Sequence, residues 1–129
     1  MEATIRMAIR WRDIDALGHV NQSVYHELLE EGRGALFEPL IEALGGFDFV
    51  LARIELDYRR EVRHSDRAVD VIHRVERVGR TSVTMVNEIR LLDGTLAAEG
   101  RSVLVAWDRE ARRSRAITDW EREQLGHRS

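Results

Sequence analysis

The sequence contains no cysteine and no lysine, and these two absences remove several kinds of chemistry. Without cysteine the chain cannot form disulfides, use a thiolate nucleophile or hold a metal ion through sulfur. Without lysine it cannot form a Schiff base or use the lysine of a phosphate-binding P-loop. All 20 basic residues are therefore arginines, whose planar guanidinium groups are suited to binding phosphate.

Long apolar runs are also missing, because no segment approaches the roughly 20 apolar residues that a membrane span needs. Residues 1–13 alternate polar and apolar side chains, unlike a signal or transit peptide, so we expect a cytoplasmic protein without membrane association. The net charge of −3 argues against a general nucleic-acid binder. A chain of 129 residues can bury a hydrophobic core, and we expect one domain over residues 1–129.

The spacing of apolar residues predicts one long helix early in the chain. Between residues 22 and 38 the apolar side chains recur every three or four positions, which is the period of a helix. Asn21 is a suitable N-cap. Proline is scarce, and Pro39, the only one, should kink the helix or restart it before residues 40–44. The Gly45-Gly46 pair should then end the helix.

Five other segments alternate with the period of two that is typical of strands. Residues 4–12 form the first, with one face made of Ile5, Met7, Ile9 and Trp11. Residues 49–60 form the second, with one face made of Val50, Ala52, Ile54, Leu56 and Tyr58. Residues 67–78, 81–92 and 95–107 form the other three, and Asp93-Gly94 between the last two is a typical hairpin turn.

The order of these elements predicts an α+β fold, in which one long central helix is wrapped by a curled antiparallel sheet of about five strands. We expect the last four strands to form a meander of successive hairpins, with the first strand joining the same sheet. A capping-box pattern, Thr118 with Glu121, should open a short tail helix that ends near Leu125.

The most informative stretch is residues 10–33, where a carboxylate, a Gly-His-Val-Asn turn and a helix start follow one another closely. The free backbone N–H groups at a helix N-terminus can hold a developing oxyanion. A carboxylate beside them, such as Asp15, can act as general base or nucleophile. The same residues also have a plainer interpretation, because Asp13 and Asp15 could be loop or capping carboxylates, and Asp13 is the better candidate for that role.

The same stretch resembles a known family motif, D-x-x-G-x-V-x-x-x-x-Y-x-x-x-x-E-x-x-R, which is matched by Asp15, Gly18, Val20, Tyr25, Glu30 and Arg33. This is the pattern of hotdog-fold acyl-CoA thioesterases related to 4-hydroxybenzoyl-CoA thioesterase, and the predicted order of elements is also similar to the hotdog fold. The His19-Val20-Asn21 segment is similar to one in acyl-carrier-protein thioesterases. Those enzymes carry an Asn two positions before the His, where this chain has Leu17.

The resemblance implies an enzyme that hydrolyses an acyl-CoA thioester to a carboxylic acid and free CoA. It places Asp15 and His19 in catalysis and the backbone N–H of Gln22 on the thioester carbonyl. It places Gly18, Asn21 and Tyr25 in substrate binding, although Asn21 also fits an N-cap and Tyr25 a pocket wall or core residue. CoA binding is assigned to Arg80, Thr81 and Ser82. The family works as homodimers or homotetramers with sites between subunits.

Several alternatives stay open or are disfavoured by the residues present. An acyl-carrier-protein substrate is one open alternative, and a non-catalytic acyl-CoA-binding hotdog protein is another. A serine hydrolase is disfavoured because no G-x-S-x-G motif occurs. We expect neither a cofactor nor a metal, because ligand spacing is absent from His26, His64, His73 and His127.

Overall fold

The computed structural model of the protein describes residues 1–126, so His127 lies outside the described residues. Two helices are described, α1 (Gln22–Leu44) and α2 (Asp119–Gly126). The described strands are β1 (Glu2–Ala8), β2 (Phe49–Tyr58), β3 (Ala68–Val78), β4 (Ser82–Leu91), β5 (Leu96–Asp108) and β6 (Arg113–Ser114). Short 3₁₀ turns occupy Trp11–Asp13 and His64–Asp66.

The six described strands form one antiparallel sheet with the order β1-β3-β4-β5-β2, and β6 pairs with the end of β5. The predicted meander is therefore right for β3, β4 and β5 but wrong for β2, which pairs with β5 instead of β3. A tight hairpin needs a short loop, whereas residues 59–67 separate β2 from β3. The backbone N–H groups of Arg59 and Arg60 in that connection donate to Ala97, and Val62 accepts from Val20. These bonds fix the connection at one end of the sheet, so β3 does not fold back beside β2.

Helix α1 begins and ends where the sequence predicts but is not divided at Pro39. Asn21 caps its N-terminus by accepting a hydrogen bond from Ser23 N–H, and Gly45 ends it in the left-handed conformation at φ 74°. The helix runs through Pro39, so of the two outcomes expected there the restart is wrong, while the kink stays a prediction. Phe37 and Leu40 are both buried in one core cluster, and this packing holds the turns on either side of the proline.

The apolar core has two parts that share helix α1. One part contains Leu28 and Leu29 of the helix, and the other contains Leu36 and Phe37. Between the two parts the inner face of the sheet carries three fully buried polar side chains, His73, Asn87 and Ser102. His73 Nδ1 lies 2.7 Å from Asn87 Oδ1, and Asn87 Nδ2 donates to Ser102 Oγ at 3.1 Å. We call these three residues the polar layer.

Two predicted strand faces are partly wrong. Trp11 does not lie on the core face of β1, because the strand ends at Ala8 and the 3₁₀ turn leaves the Trp11 side chain 76% exposed. In β2 a bulge between Leu51 and Arg53 breaks the alternation. As a result Ile54 and Leu56 pack on the core as predicted, whereas Val50 is exposed. An extra residue in one strand shifts every side chain before it to the opposite face.

Two short local predictions are confirmed. The Asp93-Gly94 hairpin forms, with Gly94 at φ 91° and Leu91 N–H donating to the Thr95 carbonyl at 2.8 Å. The Thr118 capping box also forms: Glu121 N–H donates to Thr118 Oγ1 at 3.1 Å, and Thr118 N–H donates to Glu121 Oε1 at 2.9 Å. Both features are fixed by residues close in sequence, which explains why the sequence predicts them well.

Candidate active site

The loop before helix α1 is a compact turn built on its own backbone. Ile14 and Val20 form an isolated antiparallel bridge, and Asp15 N–H donates to the His19 carbonyl at 3.1 Å. Gly18 N–H donates to the Asp15 carbonyl at 3.0 Å, and Gly18 has a φ of 86°, a conformation that favours glycine. The loop therefore presents the Asp15 side chain just before the helix begins.

Two donors hold the Asp15 carboxylate in place. Leu17 N–H donates to Oδ1 at 2.9 Å, and Asn21 Nδ2 donates to Oδ2 at 3.2 Å. The side chain is still 24% exposed. Each carboxylate oxygen keeps a second lone pair, so the group can accept a further hydrogen bond from a bound molecule.

Asn21 links this carboxylate to the helix N-terminus. Its Oδ1 accepts from Ser23 N–H at 3.0 Å and from Ser23 Oγ at 2.8 Å, while its Nδ2 contacts Asp15. The predicted N-cap is thus confirmed. The cap does not use the N–H of Gln22, which is the first helical residue and has no acceptor within the helix. Gln22 N–H is therefore a donor available at the helix N-terminus.

His19 lies beside Asp15 without binding it directly. Its Nδ1 is 3.2 Å from the Val20 carbonyl oxygen but 3.9 Å from Asp15 Oδ1, which is too long for a hydrogen bond. The contact with Val20 favours the tautomer that carries the proton on Nδ1 and leaves Nε2 as an acceptor. The half-exposed ring borders the same cavity as Asp15.

A cavity of about 480 Å³ joins these groups. It is lined by Asp15, Leu17, His19, Val20, Asn21, Gln22, Tyr25, Tyr58, Arg59, Arg60 and Glu61. Five of the predicted site residues thus meet at one cavity. Gly18 is not in this lining and instead shapes the loop. The wall formed by residues 58–61 was missed by the sequence analysis, because it follows β2 and its place depends on the pairing of β2 with β5.

Two tyrosines form the aromatic wall of the cavity. Tyr25 is only 3% exposed, and its ring packs edge-to-face against that of Tyr58 with centroids 5.0 Å apart. Burial raises the pKa of Tyr25 to about 12, and neighbouring Tyr58, Asp66 and Glu61 act in the same direction. The Tyr25 hydroxyl therefore stays protonated at neutral pH and can donate a hydrogen bond.

The predicted CoA-binding residues lie at the other end of the sheet. Ser82 is opposite Val105 on β5, whereas Tyr58 at the cavity is opposite Ala98 on the same strand. Seven residues of antiparallel strand span about 24 Å. Thr81 also uses its carbonyl to accept from Ala106 N–H. Within one protomer, the described structure does not bring Arg80, Thr81 and Ser82 to the cavity.

Asp13, the other acidic residue of the loop, has a structural environment. It is buried, and its carboxylate accepts from Arg10 N–H at 2.8 Å and from the Arg10 guanidinium at 2.9 Å. Its carbonyl accepts from Asn21 N–H at 2.9 Å. Asp13 is thus a structural loop carboxylate, the role for which the sequence made it the better candidate, and it forms an ion pair with Arg10.

Two further properties concern the whole described chain. Within residues 1–126 no group of three His, Asp or Glu side chains is placed to hold a metal ion. Neither described helix has the length and apolar character needed to cross a membrane.

Comparison with known proteins identifies the family. Residues 9–125 match the thioesterase-like superfamily. The chain belongs to this superfamily. The predicted resemblance to hotdog thioesterases is thereby confirmed, and so is the broad fold of a curled antiparallel sheet with helices. The comparison with curated proteins found no match.

Several solved structures of thioesterases resemble this one. A predicted thioesterase from Bacillus stearothermophilus is 30% identical, with a TM-score of 0.88 over 97% of this chain and 94% of that one. A thioesterase from Thermus thermophilus, complexed with coenzyme A and zinc, is 33% identical, with a TM-score of 0.82 over 95% and 90%. A probable thioesterase from Escherichia coli is 25% identical, with a TM-score of 0.81 over 95% of each chain. These matches extend over nearly the whole chain.

Proposed function

We propose that the protein hydrolyses an acyl-CoA thioester to a carboxylic acid and free CoA. The observation that carries the proposal is that the Asp15 carboxylate and the first residue of helix α1, Gln22, line one cavity of about 480 Å³. Membership of the thioesterase-like superfamily supports a thioester substrate. The CoA complex of the Thermus relative supports CoA as the carrier.

The chemistry assigns one task to each group. Gln22 N–H donates to the thioester carbonyl oxygen and stabilises the negative charge that develops there. If Asp15 is a general base, it takes a proton from water, the water oxygen bonds to the carbonyl carbon, and the C–S bond breaks to release the CoA thiolate, which takes up the proton. If Asp15 is a nucleophile, its oxygen displaces the thiolate and water then cleaves the resulting anhydride.

The neighbouring residues support Asp15 rather than react. Asn21 orients the carboxylate through Nδ2 and fixes the helix N-terminus through Oδ1. Gly18 allows the loop to turn. His19 contacts the substrate or the attacking water through Nε2, because its Nδ1 faces the Val20 carbonyl.

We further propose a homodimer or homotetramer in which Arg80, Thr81 and Ser82 of one subunit reach the cavity of another. The separation of about 24 Å between these residues and the cavity within one protomer supports a shared site. Strand β2 pairs only with β5 among the described strands and exposes Val50 and Leu51, so its open edge is available for a subunit contact.

Thiol release from a panel of acyl-CoAs tests the activity. We expect turnover by the wild type and a loss of at least about 100-fold in Asp15→Asn, as is usual when a positioned acid-base group is removed. Asp119→Asn is the matched control, since this exposed residue opens α2 on the tail of the chain. Turnover of Asp15→Asn within tenfold of the wild type would exclude Asp15 from the mechanism.

The same assay separates the other candidate functions. A non-catalytic acyl-CoA-binding protein would bind the panel without releasing thiol. An acyl-carrier-protein thioesterase would hydrolyse acyl-carrier-protein at least tenfold more efficiently than the same acyl group on CoA.

Mixing two inactive variants tests the shared site. In a dimer of Asp15→Asn with Arg80→Ala, one of the two sites regains both native residues if Arg80 acts across the interface. An equimolar mixture that exchanges subunits should then recover about a quarter of the wild-type activity. No recovery after confirmed exchange, or a monomer at micromolar concentration, would contradict the shared site.

A further inference from the structure

The Tyr25 hydroxyl is a buried donor without a protein acceptor. The side chain is 3% exposed, yet no residue within 1–126 forms a hydrogen bond with its hydroxyl. The oxygen is also not sealed in the core, because Arg33 Nη1 and His73 Nε2 are the fully enclosed polar side-chain atoms without a partner in the described chain. Since Tyr25 lines the cavity, its hydroxyl is open to that cavity.

The Tyr25 ring faces the wall formed by the end of β2. It packs edge-to-face on the ring of Tyr58, with the centroids 5.0 Å apart. Asp15 belongs to the loop before α1 and is held by Leu17 and Asn21. A thioester whose carbonyl meets Gln22 N–H would therefore present its acyl chain, and not its reacting carbon, to Tyr25.

Two properties of this wall restrict the acyl group. A bound acyl group displaces water from this wall, and a donor then left unpaired is costly, so an acyl group that offers an acceptor gains over one that does not. The charged side chains of the lining, Asp15 and Glu61 against Arg59 and Arg60, carry no net charge, so the cavity has no excess charge that would favour an ionic acyl substituent. The acceptor should thus be a neutral oxygen.

We propose that Tyr25 is a specificity residue that selects acyl groups carrying a neutral hydroxyl or keto oxygen over the unsubstituted acyl group of the same length. The inference rests on the proposed thioesterase function and extends it to the substrate class. The reacting atoms stay with Asp15 and Gln22, and Tyr25 donates only to the acyl substituent.

The test compares hexanoyl-CoA with 3-hydroxyhexanoyl-, 5-oxohexanoyl- and 6-hydroxyhexanoyl-CoA. Three positions of the oxygen are used because the distance of the Tyr25 hydroxyl from the thioester decides which substituent it can reach. We expect the wild type to favour at least one oxygenated substrate by about tenfold or more in kcat/KM. In Tyr25→Phe, which removes only the hydroxyl, the ratio of kcat/KM for the preferred oxygenated substrate to kcat/KM for hexanoyl-CoA should fall to within about twofold of one. Asp119→Asn, at an exposed residue of α2 outside the cavity lining, should keep the wild-type ratio.

Each other outcome contradicts a defined part of the proposal. Turnover of all four substrates with equal kcat/KM, or a preference that survives Tyr25→Phe, would overturn the role of Tyr25 and leave the thioesterase function intact. If Tyr25→Phe forms a weaker dimer and keeps the wild-type kcat/KM ratio, the specificity role is also overturned, because the hydroxyl then belongs to the subunit contact. If the wild type releases thiol neither from these four nor from any member of the wider acyl-CoA panel, the thioesterase proposal fails. Calorimetric binding of the same four compounds then decides separately whether Tyr25 selects oxygenated acyl groups.

Discussion

Replacement of Gly32 by alanine should destabilise the protein, although alanine is the better helix former. A Cβ atom at Gly32 would lie 2.4 Å from two ring atoms of His73 and 2.9 Å from Val71 Cγ1. The His73 ring cannot move aside freely, because its Nδ1 is held 2.7 Å from Asn87 Oδ1 in the polar layer. Overpacking of this kind costs about 1–3 kcal/mol. The glycine is therefore required by the close approach of α1 to β3.

Gly34 provides a matched control in the same helix, because a Cβ atom there meets nothing within 4 Å. Both substitutions gain about 1 kcal/mol from helix propensity, so that contribution cancels between them. We expect the free energy of unfolding, measured by urea denaturation at one protein concentration, to be about 1–3 kcal/mol lower for Gly32→Ala than for Gly34→Ala. Equal stability of the two variants would refute the close packing. When both glycine variants are made in a His73→Ala background, most of the difference in stability between Gly32→Ala and Gly34→Ala should disappear, since the clashing ring is gone.

Two more predictions concern the polar layer and the helix cap. Burial lowers the pKa of His73 to about 4, below its unfolded value of 6.5, so the unfolded chain binds more protons between these pH values. The free energy of unfolding should fall by up to about 3 kcal/mol as the pH drops from 6.5 to 4, and His73→Asn should flatten this dependence in urea titrations. Asn21→Ala should lose about 1 kcal/mol of stability with the cap and also reduce kcat, because Asp15 loses a donor. Asn21→Ser keeps a capping oxygen but lacks the amide donor and adds no charge beside Asp15, so it should reduce kcat with little loss of stability. Equal losses of stability in the two variants would contradict the separation of the two roles.

The sequence predicts the site best where the residues are close along the chain. Asp15, Asn21 and Gln22 lie within one turn-and-cap unit, and local hydrogen bonds fix their arrangement. Tyr25 follows one helical turn later on the buried face, so helical spacing suffices to place it at the same end. Such features depend on few long-range contacts.

The missed features depend on distant pairing. Residues 58–61 reach the cavity because β2 pairs with β5, and alternation within β2 contains no information about its partner. The bulge after Leu51 could not be predicted either, because it arises from the register against Leu104 and Val103. His73 and Asn87 do fall on the apolar faces of β3 and β4 by simple alternation, so their burial could have been noticed. Their pairing with each other requires the observed register.

The arrangement at Asp15 and Gln22 is tested most directly by the structure of the protein bound to a non-hydrolysable acyl-CoA analogue. We predict that the carbonyl oxygen of the analogue lies about 3 Å from Gln22 N, with the Asp15 carboxylate facing the carbonyl carbon or a water beside it. An analogue whose carbonyl binds away from the N-terminus of α1, or that leaves this cavity empty, would contradict the proposed chemistry.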